Sequence, residues 1–343
     1  MKKLLSALLF VLLFVAFSLL TSPIATADRQ LPPNDRAKGL IYNDLEVPQN
    51  GECKGAFKVK VKGAKAGDEP QCSHGPDPFP QSIAFAKPSS QTPTPTPVPS
   101  GPGTVMCDSD GVSGKRVQVL YVRASTMPSK YGAYLASFQQ WAADADAFFN
   151  SSAAKTGGSR RVRFVHDAGC KPVVTEVVLT AWGMESFGNM VSELNAQGFN
   201  RRDRKYMIFA DTSIYCGIGS VVADDSAGTK NKSNAGPHYG RVDVNCWDGA
   251  VAAHELMHTL GGVQLSAPNS DGNWHCNDGY DLMCDYSGHN VQILCSGTPG
   301  QSPFDCGNND YFHNNPPANS YLATHWNPAS NQFLINPTAT TRK

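Results

Sequence analysis

Residues 248–262 read DGAVAAHELMHTLGG, the most informative segment of the chain. Asp248 is a residue type that often caps a helix N-terminus, the interior is apolar and rich in alanine, and Gly261 provides a stop. The stretch therefore predicts one helix. Because His254 and His258 are four positions apart, both imidazoles project from the same helix face and could share one metal ion.

The same stretch contains HExxH, a pattern in which two histidines bind zinc and the glutamate between them acts as a base. Catalytic zinc sites use three protein ligands and leave the fourth position to water. Glu255 is placed to take a proton from a zinc-activated water and to pass it to a leaving amine. The motif predicts one catalytic Zn²⁺ ion, with His254 and His258 as ligands and Glu255 as general base.

The third ligand decides the class of peptidase. Thermolysin-like enzymes take it from a glutamate on a later helix, but no glutamate follows Glu255 in this chain. That class is therefore excluded. Gly261 ends the predicted helix three residues after His258, and a sharp turn there would bring the following loop back under the metal.

The segment HELMHTLGG, followed by Met283 in DLMC, resembles the metzincins, zinc endopeptidases with HExxHxxGxxH and a Met-turn. The resemblance covers the helix and the loop up to about Tyr286. It implies a mixed twisted sheet with two backing helices and an active-site helix, and Met283 as the hydrophobic floor under the metal. Some metzincins stabilise the oxyanion with a tyrosine two residues after this methionine, a position that holds Asp285 here. A role for Tyr286 is thus an open alternative.

The chain departs from the family at Gln264, which stands where the third histidine is expected. Among the later histidines, only His275 precedes Met283, as the order of the family requires. We therefore predict His275 as the third ligand, reached through a longer loop as in the leishmanolysin branch. Gln264 itself, or an aspartate such as Asp271 or Asp281, remains the alternative.

The region before this helix predicts an α/β (α+β) fold. Hydrophobic runs typical of strands alternate with helical patterns of apolar residues at steps of three and four. The predicted strands cover residues 117–124, 162–168, 173–179 and 205–211, and the predicted helices cover residues 131–151 and 184–197. From Gly261 onward the composition predicts an irregular, disulfide-rich C-terminal subdomain.

The sequence divides into four predicted segments. Residues 1–27 read as a signal peptide, which implies a secreted, extracellular protein whose cysteines form disulfides. Residues 28–87 form a small N-terminal block, interpreted as a propeptide or an accessory module. The Pro/Thr/Ser-rich residues 88–103 predict an extended linker, and residues 104–343 form the metallopeptidase domain.

The ten cysteines are an even set without any CxxC pair, which favours disulfides over a thiolate zinc site. We predict the bridges Cys53–Cys72 and Cys216–Cys246. An alternative use of Cys72, in QCSHGPDPFP, is a thiolate that closes the zinc site of a latent enzyme.

Charge and composition say little about partners. Lysine plus arginine equals aspartate plus glutamate at 29 each, so the chain has no basic excess for nucleic acid or for a membrane surface. The expected partner is a protein or peptide substrate, and the expected state is a monomer. Calcium at Asp305, Asn308, Asn309 and Asp310, or at Asp108 and Asp110, is the alternative to ordinary turns, which we favour.

The sequence thus predicts a secreted zinc-dependent endopeptidase. Two alternatives remain open: a secreted non-catalytic binding module that retains the zinc fold, and a zinc hydrolase of a non-peptide amide.

Overall fold

The computed structural model describes residues 30–48, 51, 53–65, 68–79, 103–284 and 304–337. The chain divides into two units, Met1–Gln30 and Leu31–Lys343, and every described residue except Gln30 belongs to the second. The predicted signal peptide and nearly all of the predicted linker lie outside the described residues. No helix in the described part of the chain is long and apolar enough to cross a membrane.

An eight-stranded mixed sheet forms the centre of the second unit, with the strand order β1-β2-β3-β8-β9-β7-β4-β6. A separate two-stranded sheet pairs β5 with β10. The strands are β1 (Leu45–Glu46), β2 (Phe57–Val59), β3 (Cys72–Asp77), β4 (Arg116–Ala124), β5 (Arg161–Val162), β6 (Val174–Leu179), β7 (Arg204–Ala210), β8 (Gly217–Val221), β9 (His238–Asp243) and β10 (Leu334–Ile335).

The sheet has a parallel half and an antiparallel half. Strands β6, β4, β7 and β9 are parallel neighbours. Strand β8 is antiparallel both to β9 and to β3, and β2 and β1 continue the antiparallel arrangement. Strand β8 therefore joins the parallel half to three strands from the N-terminal block.

The helices are α1 (Tyr131–Lys155), α2 (Ala181–Met184), α3 (Phe187–Ala196), α4 (Gly249–Thr259) and α5 (Tyr321–Thr324). Side chains of β4 alternate between the two faces of the sheet, as the pleat requires. Val119 and Tyr121 pack in one core with α1 and α4, whereas Leu120 and Val122 pack with α3 in a second core. Both faces of the parallel half are thus covered.

The prediction of an α/β (α+β) fold with a mixed sheet is confirmed, and the helix predicted for residues 248–260 is present as α4. The two predicted backing helices correspond to α1 and α3, which lie on opposite faces. The predicted strand 162–168 is largely wrong, because only Arg161–Val162 is strand and the rest contributes isolated bridges at Phe164 and His166.

The N-terminal block packs into the main fold. Its residues Ile41, Leu45, Phe57 and Val59 are buried in the same core as Phe187 of α3. The Trp274 indole nitrogen also donates a hydrogen bond of 3.1 Å to the Gly55 carbonyl. Residues 31–79 therefore share a hydrophobic core with the rest of the unit.

Disulfides among the described residues join Cys53 to Cys72, Cys107 to Cys170, Cys216 to Cys246 and Cys276 to Cys284. The two predicted bridges are both present. After α4, regular structure in the described residues is limited to α5, β10 and a 3-10 turn at Pro328–Ser330.

Candidate metal centre

The helix α4 carries the HExxH residues as predicted. The Asp248 side chain accepts a hydrogen bond of 2.7 Å from the Val251 N–H and caps the helix. The Nε2 atoms of His254 and His258 lie 3.0 Å apart on the same face. The spacing of four residues therefore brings both rings to one point.

His275 joins these two histidines from the loop after α4. Its ring centroid lies 5.2 Å from that of His254 and 4.9 Å from that of His258. Sequence reasoning selected His275 for its place before Met283, and the structure brings it to the same centre. Its role as a metal ligand stays a prediction.

Backbone carbonyls orient all three imidazoles. The Nδ1 atom of His254 lies 2.7 Å from the Leu282 oxygen, that of His258 lies 3.1 Å from the Gly262 oxygen, and that of His275 lies 3.1 Å from the Asn273 oxygen. Each Nδ1–H therefore donates to a carbonyl. The three Nε2 atoms are left to face the centre, an arrangement typical of histidines that bind a metal.

Gly261 and Met283 shape the surroundings of the site. Gly261 adopts a φ of +93° directly after the helix, and a Cβ there would lie 2.5 Å from the Trp326 indole nitrogen. Met283 is fully buried in the core that contains α1 and α4. Its neighbour Leu282 supplies the carbonyl that orients His254, so the loop around Met283 helps to position a histidine.

The alternative third ligands are engaged elsewhere. The buried Gln264 amide donates hydrogen bonds of 3.0 and 2.9 Å to the carbonyls of Val222 and Gly261. Asp271 accepts bonds from the Asn273 and His275 N–H groups. Asp281 accepts bonds from the Tyr311 hydroxyl and the Met283 N–H. Tyr286 lies outside the described residues, and its role stays a prediction.

Two residues that sequence reasoning missed, His74 and Asp77 on strand β3, also reach the centre. The two carboxylate oxygens of Asp77 each lie 3.2 Å from an Nε2 atom, Oδ2 from His254 and Oδ1 from His275. The His74 ring stacks on the His258 ring, with centroids 3.9 Å apart and an interplanar angle of 22°. Both residue types bind zinc, and both occur in the segment QCSHGPDPFP.

In the same segment, Cys72 as a zinc ligand is the alternative to a disulfide in the sequence analysis. The structure places Cys72 in the bridge to Cys53, so the alternative of a Cys72 zinc ligand is wrong.

A bulge in β3 allows His74 and Asp77 to face the same centre. Residues three apart on a regular strand point to opposite faces. The register between β3 and β8 shifts between Ser73 and Pro76, and Gly75 adopts a φ of +111°, which favours glycine. The extra residue re-aims the side chains that follow it.

Glu255 lies beneath the centre in a space provided by glycines. Its carboxylate oxygen Oε2 lies 3.3 Å from His74 Nε2, and its side chain is almost wholly buried. A Cβ at Gly217 would overlap Oε1, and a Cβ at Gly219 would lie 2.6 Å from Oε2. Strand β8 therefore needs glycine at both positions to admit this side chain.

Burial dominates the electrostatics of the site. It lowers the pKa of His74 to about 3 and that of His258 well below the ordinary value. Burial, reinforced by the nearby Asp77 carboxylate, raises the pKa of Glu255 well above its usual range. For Asp77, burial acts to raise the pKa, but the facing His74 and His254 outweigh it and hold the pKa well below the ordinary value. These shifts favour neutral imidazoles at His74 and His258 and a carboxylate at Asp77.

These donors fit a zinc ion. Zinc with bonds of about 2.0–2.1 Å in a tetrahedron has ligand atoms about 3.3–3.4 Å apart, and it takes neutral imidazoles and carboxylates. The measured separations are 3.0 Å between the helix histidines and 3.2 Å from each Asp77 oxygen to its histidine. In addition, the buried atoms Asp77 Oδ1 and His74 Nδ1 lie 3.6 Å apart, too far for a hydrogen bond between them. Buried polar atoms of this kind usually have a partner, and a cation at the centre would provide one for the carboxylate.

The acidic clusters considered for calcium form turns. Asp305 accepts hydrogen bonds from the N–H groups of Asn309, Asp310, Tyr311 and Phe312. Asp110 accepts bonds from the N–H groups of Val112 and Ser113. Within the described residues, the His, Cys, Asp and Glu side chains grouped closely enough to hold a metal do not include either aspartate. The geometry favours the turn interpretation at both places.

Comparisons with known proteins add little. No protein-family model matches the chain, and no curated protein matches it. Among solved structures, a weak neighbour is metalloproteinase-II from Bacteroides fragilis, with 12% identity over 52% of this chain and a TM-score of 0.22. Another is a chain in the structure of a chaperone-substrate complex, with 13% identity over 57% of this chain and a TM-score of 0.24. The matches span 48% and 32% of those chains, and such low scores carry no argument about function.

Proposed function

We propose that the protein is a zinc-dependent endopeptidase of metzincin type that acts outside the cytoplasm. The observation that carries the proposal is the convergence of the His254, His258 and His275 rings, each held through Nδ1 by a backbone carbonyl, on the helix that carries Glu255. Three imidazole nitrogens and one adjacent carboxyl group are what a catalytic zinc site requires. The disulfides support an oxidising compartment, since they persist there.

The residues divide the chemistry between them. When bound, zinc supplies a Lewis acid that polarises the scissile carbonyl and makes water acidic enough to attack it. The three histidines would hold the ion through their Nε2 atoms. Glu255 accepts the proton of the attacking water and delivers it to the leaving amine. Its carboxyl group lies within 4.8 Å of the donor atoms of His254 and Asp77, which supports a role next to a metal held by the histidines.

A second candidate function is supported by Asp77. A structural zinc site closes its fourth position with a protein ligand, and the Asp77 carboxylate lies where that ligand would stand. A non-catalytic module that uses zinc for stability alone is therefore the competing proposal. Glu255 favours catalysis, because a structural site has no need of a base in a glycine-lined space.

Hydrolysis of a denatured protein substrate separates these proposals. The purified chain is assayed intact and after cleavage at a protease site inserted within residues 88–101, with and without a zinc chelator. A Glu255→Gln variant serves as the control. The peptidase proposal predicts chelator-sensitive cleavage that Glu255→Gln removes while its zinc content stays at one ion per chain. Full zinc content with no cleavage by either form would contradict it and favour the structural module.

A further inference from the structure

We propose that a groove beside the segment 58–71 binds an anionic polysaccharide, whose charged groups meet a row of lysines. The groove has a volume of about 1430 Å³, and its lining includes Cys72 and Val221. These two residues face each other at one end of the β3–β8 pair, whereas Asp77 and Gly217, next to the metal centre, lie at the other end. The groove is therefore a separate site, and the inference does not depend on the proposed peptidase function.

A lysine-rich segment forms one wall of the groove. Residues 58–65 read KVKVKGAK, in which lysine and valine alternate at first. Val59 is buried in the second core, and Val61 packs against that core. Because side chains alternate along an extended chain, burial of the valines turns the neighbouring lysines away from the core. The lysines of this segment that line the groove are Lys58, Lys60, Lys62 and Lys65.

Two cations from the main fold face this segment. Arg202, before β7, and Lys232, before β9, are exposed and line the groove. One carboxylate lies between them, since Glu69 is 3.9 Å from a guanidinium nitrogen of Arg202 and 3.7 Å from Lys232 Nζ. The described lining thus holds six cations and four carboxylates, the latter from Asp44, Glu46, Asp68 and Glu69.

The mixture of charges favours a polymer whose charged groups are spaced apart. A densely charged chain such as a nucleic acid would bring its phosphates against the four carboxylates, and like charges repel. An acidic polysaccharide has neutral hydroxyls between its charged groups, and those hydroxyls can donate hydrogen bonds to carboxylates. The equal totals of basic and acidic residues in the chain also disfavour nucleic acid.

Trp182 adds an exposed apolar surface to the groove. It is 39% exposed, and Lys62 Nζ lies 5.5 Å from the centroid of its ring. The amide side chains of Gln71, Asn195 and Asn200 also line the groove, and an amide both donates and accepts hydrogen bonds. An aromatic face, amides and ammonium groups together match the rings, hydroxyls and carboxylates of an acidic sugar chain.

The test measures binding of oligosaccharides to the full chain by isothermal titration calorimetry. The probes are hyaluronan and polygalacturonate, and neutral dextran of the same length is the uncharged control. We expect an acidic probe to bind, more weakly as salt is raised, and dextran not to bind. The triple variant Lys60→Gln/Lys62→Gln/Lys65→Gln should bind about tenfold more weakly, because it removes three exposed charge contacts.

A second triple variant controls for net charge. Lys38→Gln/Lys155→Gln/Lys171→Gln removes the same number of charges from exposed lysines outside the described lining. It should bind the acidic probe as the wild type does. Equal weakening by the two triple variants would show that net charge rather than the groove attracts the polymer, and it would overturn the inference.

Two single variants are expected to act in opposite directions. Trp182→Ala should weaken binding about three- to tenfold, through loss of the aromatic contact. Glu69→Gln should tighten binding about two- to fivefold, because Arg202 and Lys232 lose the carboxylate that faces them. Weaker binding by Glu69→Gln would contradict the assignment of these two cations to the polysaccharide.

Other polymers complete the test. Tighter binding of single-stranded DNA or of polyglutamate than of either acidic polysaccharide would overturn the inference. The same holds if neither acidic polysaccharide binds at low ionic strength. None of these measurements uses peptidase activity, so failure of this inference and failure of the proposed function are distinguishable.

Discussion

Gly217 lies directly against the Glu255 carboxylate, so that a Cβ at residue 217 would overlap Glu255 Oε1. Strand β8, which borders the metal centre, therefore has a glycine where the Glu255 side chain packs. Gly219, two residues along, and Gly240 on the next strand also face Glu255. Three glycines on two strands thus set the position of the proposed base.

Replacing Gly217 tests this relationship. We expect Gly217→Ala to displace the Glu255 carboxylate and to lower peptidase activity by about 10- to 100-fold, since misplacing a reacting group by about 1 Å can cost on the order of 10²-fold. The comparison is made in the Asp77→Ala background, which removes the carboxylate that faces His254 and His275. Zinc content is measured alongside and should not change. Gly132→Ala is the control, because a Cβ there meets nothing within 4 Å. Equal activity in the two variants would show that Gly217 does not position the base.

His275 is expected to be the third metal ligand. In the Asp77→Ala background, His275→Ala should lose stoichiometric zinc, because the two helix histidines then hold the ion without His275 or the Asp77 carboxylate. His325→Ala is the control, since the ring of His325 stacks on Tyr321 and lies in none of the metal-sized groups of the described residues. Zinc per chain is measured by elemental analysis after dialysis. Retention of one zinc ion by His275→Ala would rule out this assignment.

Gln264 is expected to stabilise the turn after α4 without touching the metal. Its amide satisfies two buried carbonyls, at Val222 and Gly261. Gln264→Leu should therefore reduce the free energy of unfolding by about 1–3 kcal/mol, the cost of buried groups left without a partner. Urea unfolding measures the change, and zinc content should stay at one ion per chain. Loss of zinc from a folded Gln264→Leu chain would instead identify Gln264 as a ligand.

Asp281 makes a pH-dependent contribution to stability. Burial raises its pKa to about 7, although the Tyr311 hydroxyl and the Met283 N–H donate hydrogen bonds to it. The folded chain then binds this proton more tightly than the unfolded chain, whose Asp pKa is about 3.9, so stability falls as pH rises from about 4 to about 7. Asp281→Asn, which carries no charge, should lose less stability over this range than the wild type. Urea unfolding at several pH values tests this, with Asp68→Asn as the control. Parallel curves for wild type and Asp281→Asn would contradict the raised pKa.

Much of the parallel half could be predicted because its residues follow strong patterns. The runs at residues 117–124, 173–179 and 205–211 are long and apolar, and the structure has strands there with bounds shifted by one residue or less. The helix α4 was predicted from its cap, its alanine-rich interior and its glycine stop. Local signals of this kind are sufficient to predict an element where the hydrophobic periodicity and the residues at its ends indicate the same helix or strand.

The strands nearest the site could not be predicted, and the reason is chemical. Strand β8 reads GIGSV and β9 reads HYGRVD, and glycine lowers the strand signal of both. Those glycines are needed where Glu255 packs. The features that make room for the proposed base thus remove the pattern by which a strand is recognised.

The metal centre was predicted only in part for a related reason. His254, Glu255 and His258 lie within one turn of helix, so their spacing alone brings them together. Asp77 lies 177 positions before His254, and the bulge at Gly75 that aims it has no signal in the sequence beyond HGP. Contacts between residues so far apart in the sequence depend on strand order, which local sequence patterns do not specify.

Zinc-dependent catalysis by Glu255 is measured with the zinc-loaded Asp77→Ala chain and with the double variant Asp77→Ala/Glu255→Gln. Both chains are assayed on a denatured protein with and without chelator. We predict cleavage by the first chain that the chelator abolishes, and a rate lower by about 10²- to 10⁴-fold in the second, the usual contribution of a general base. Zinc content should be one ion per chain in both. Equal rates in the two zinc-loaded chains, or cleavage that survives complete removal of zinc, would contradict the account.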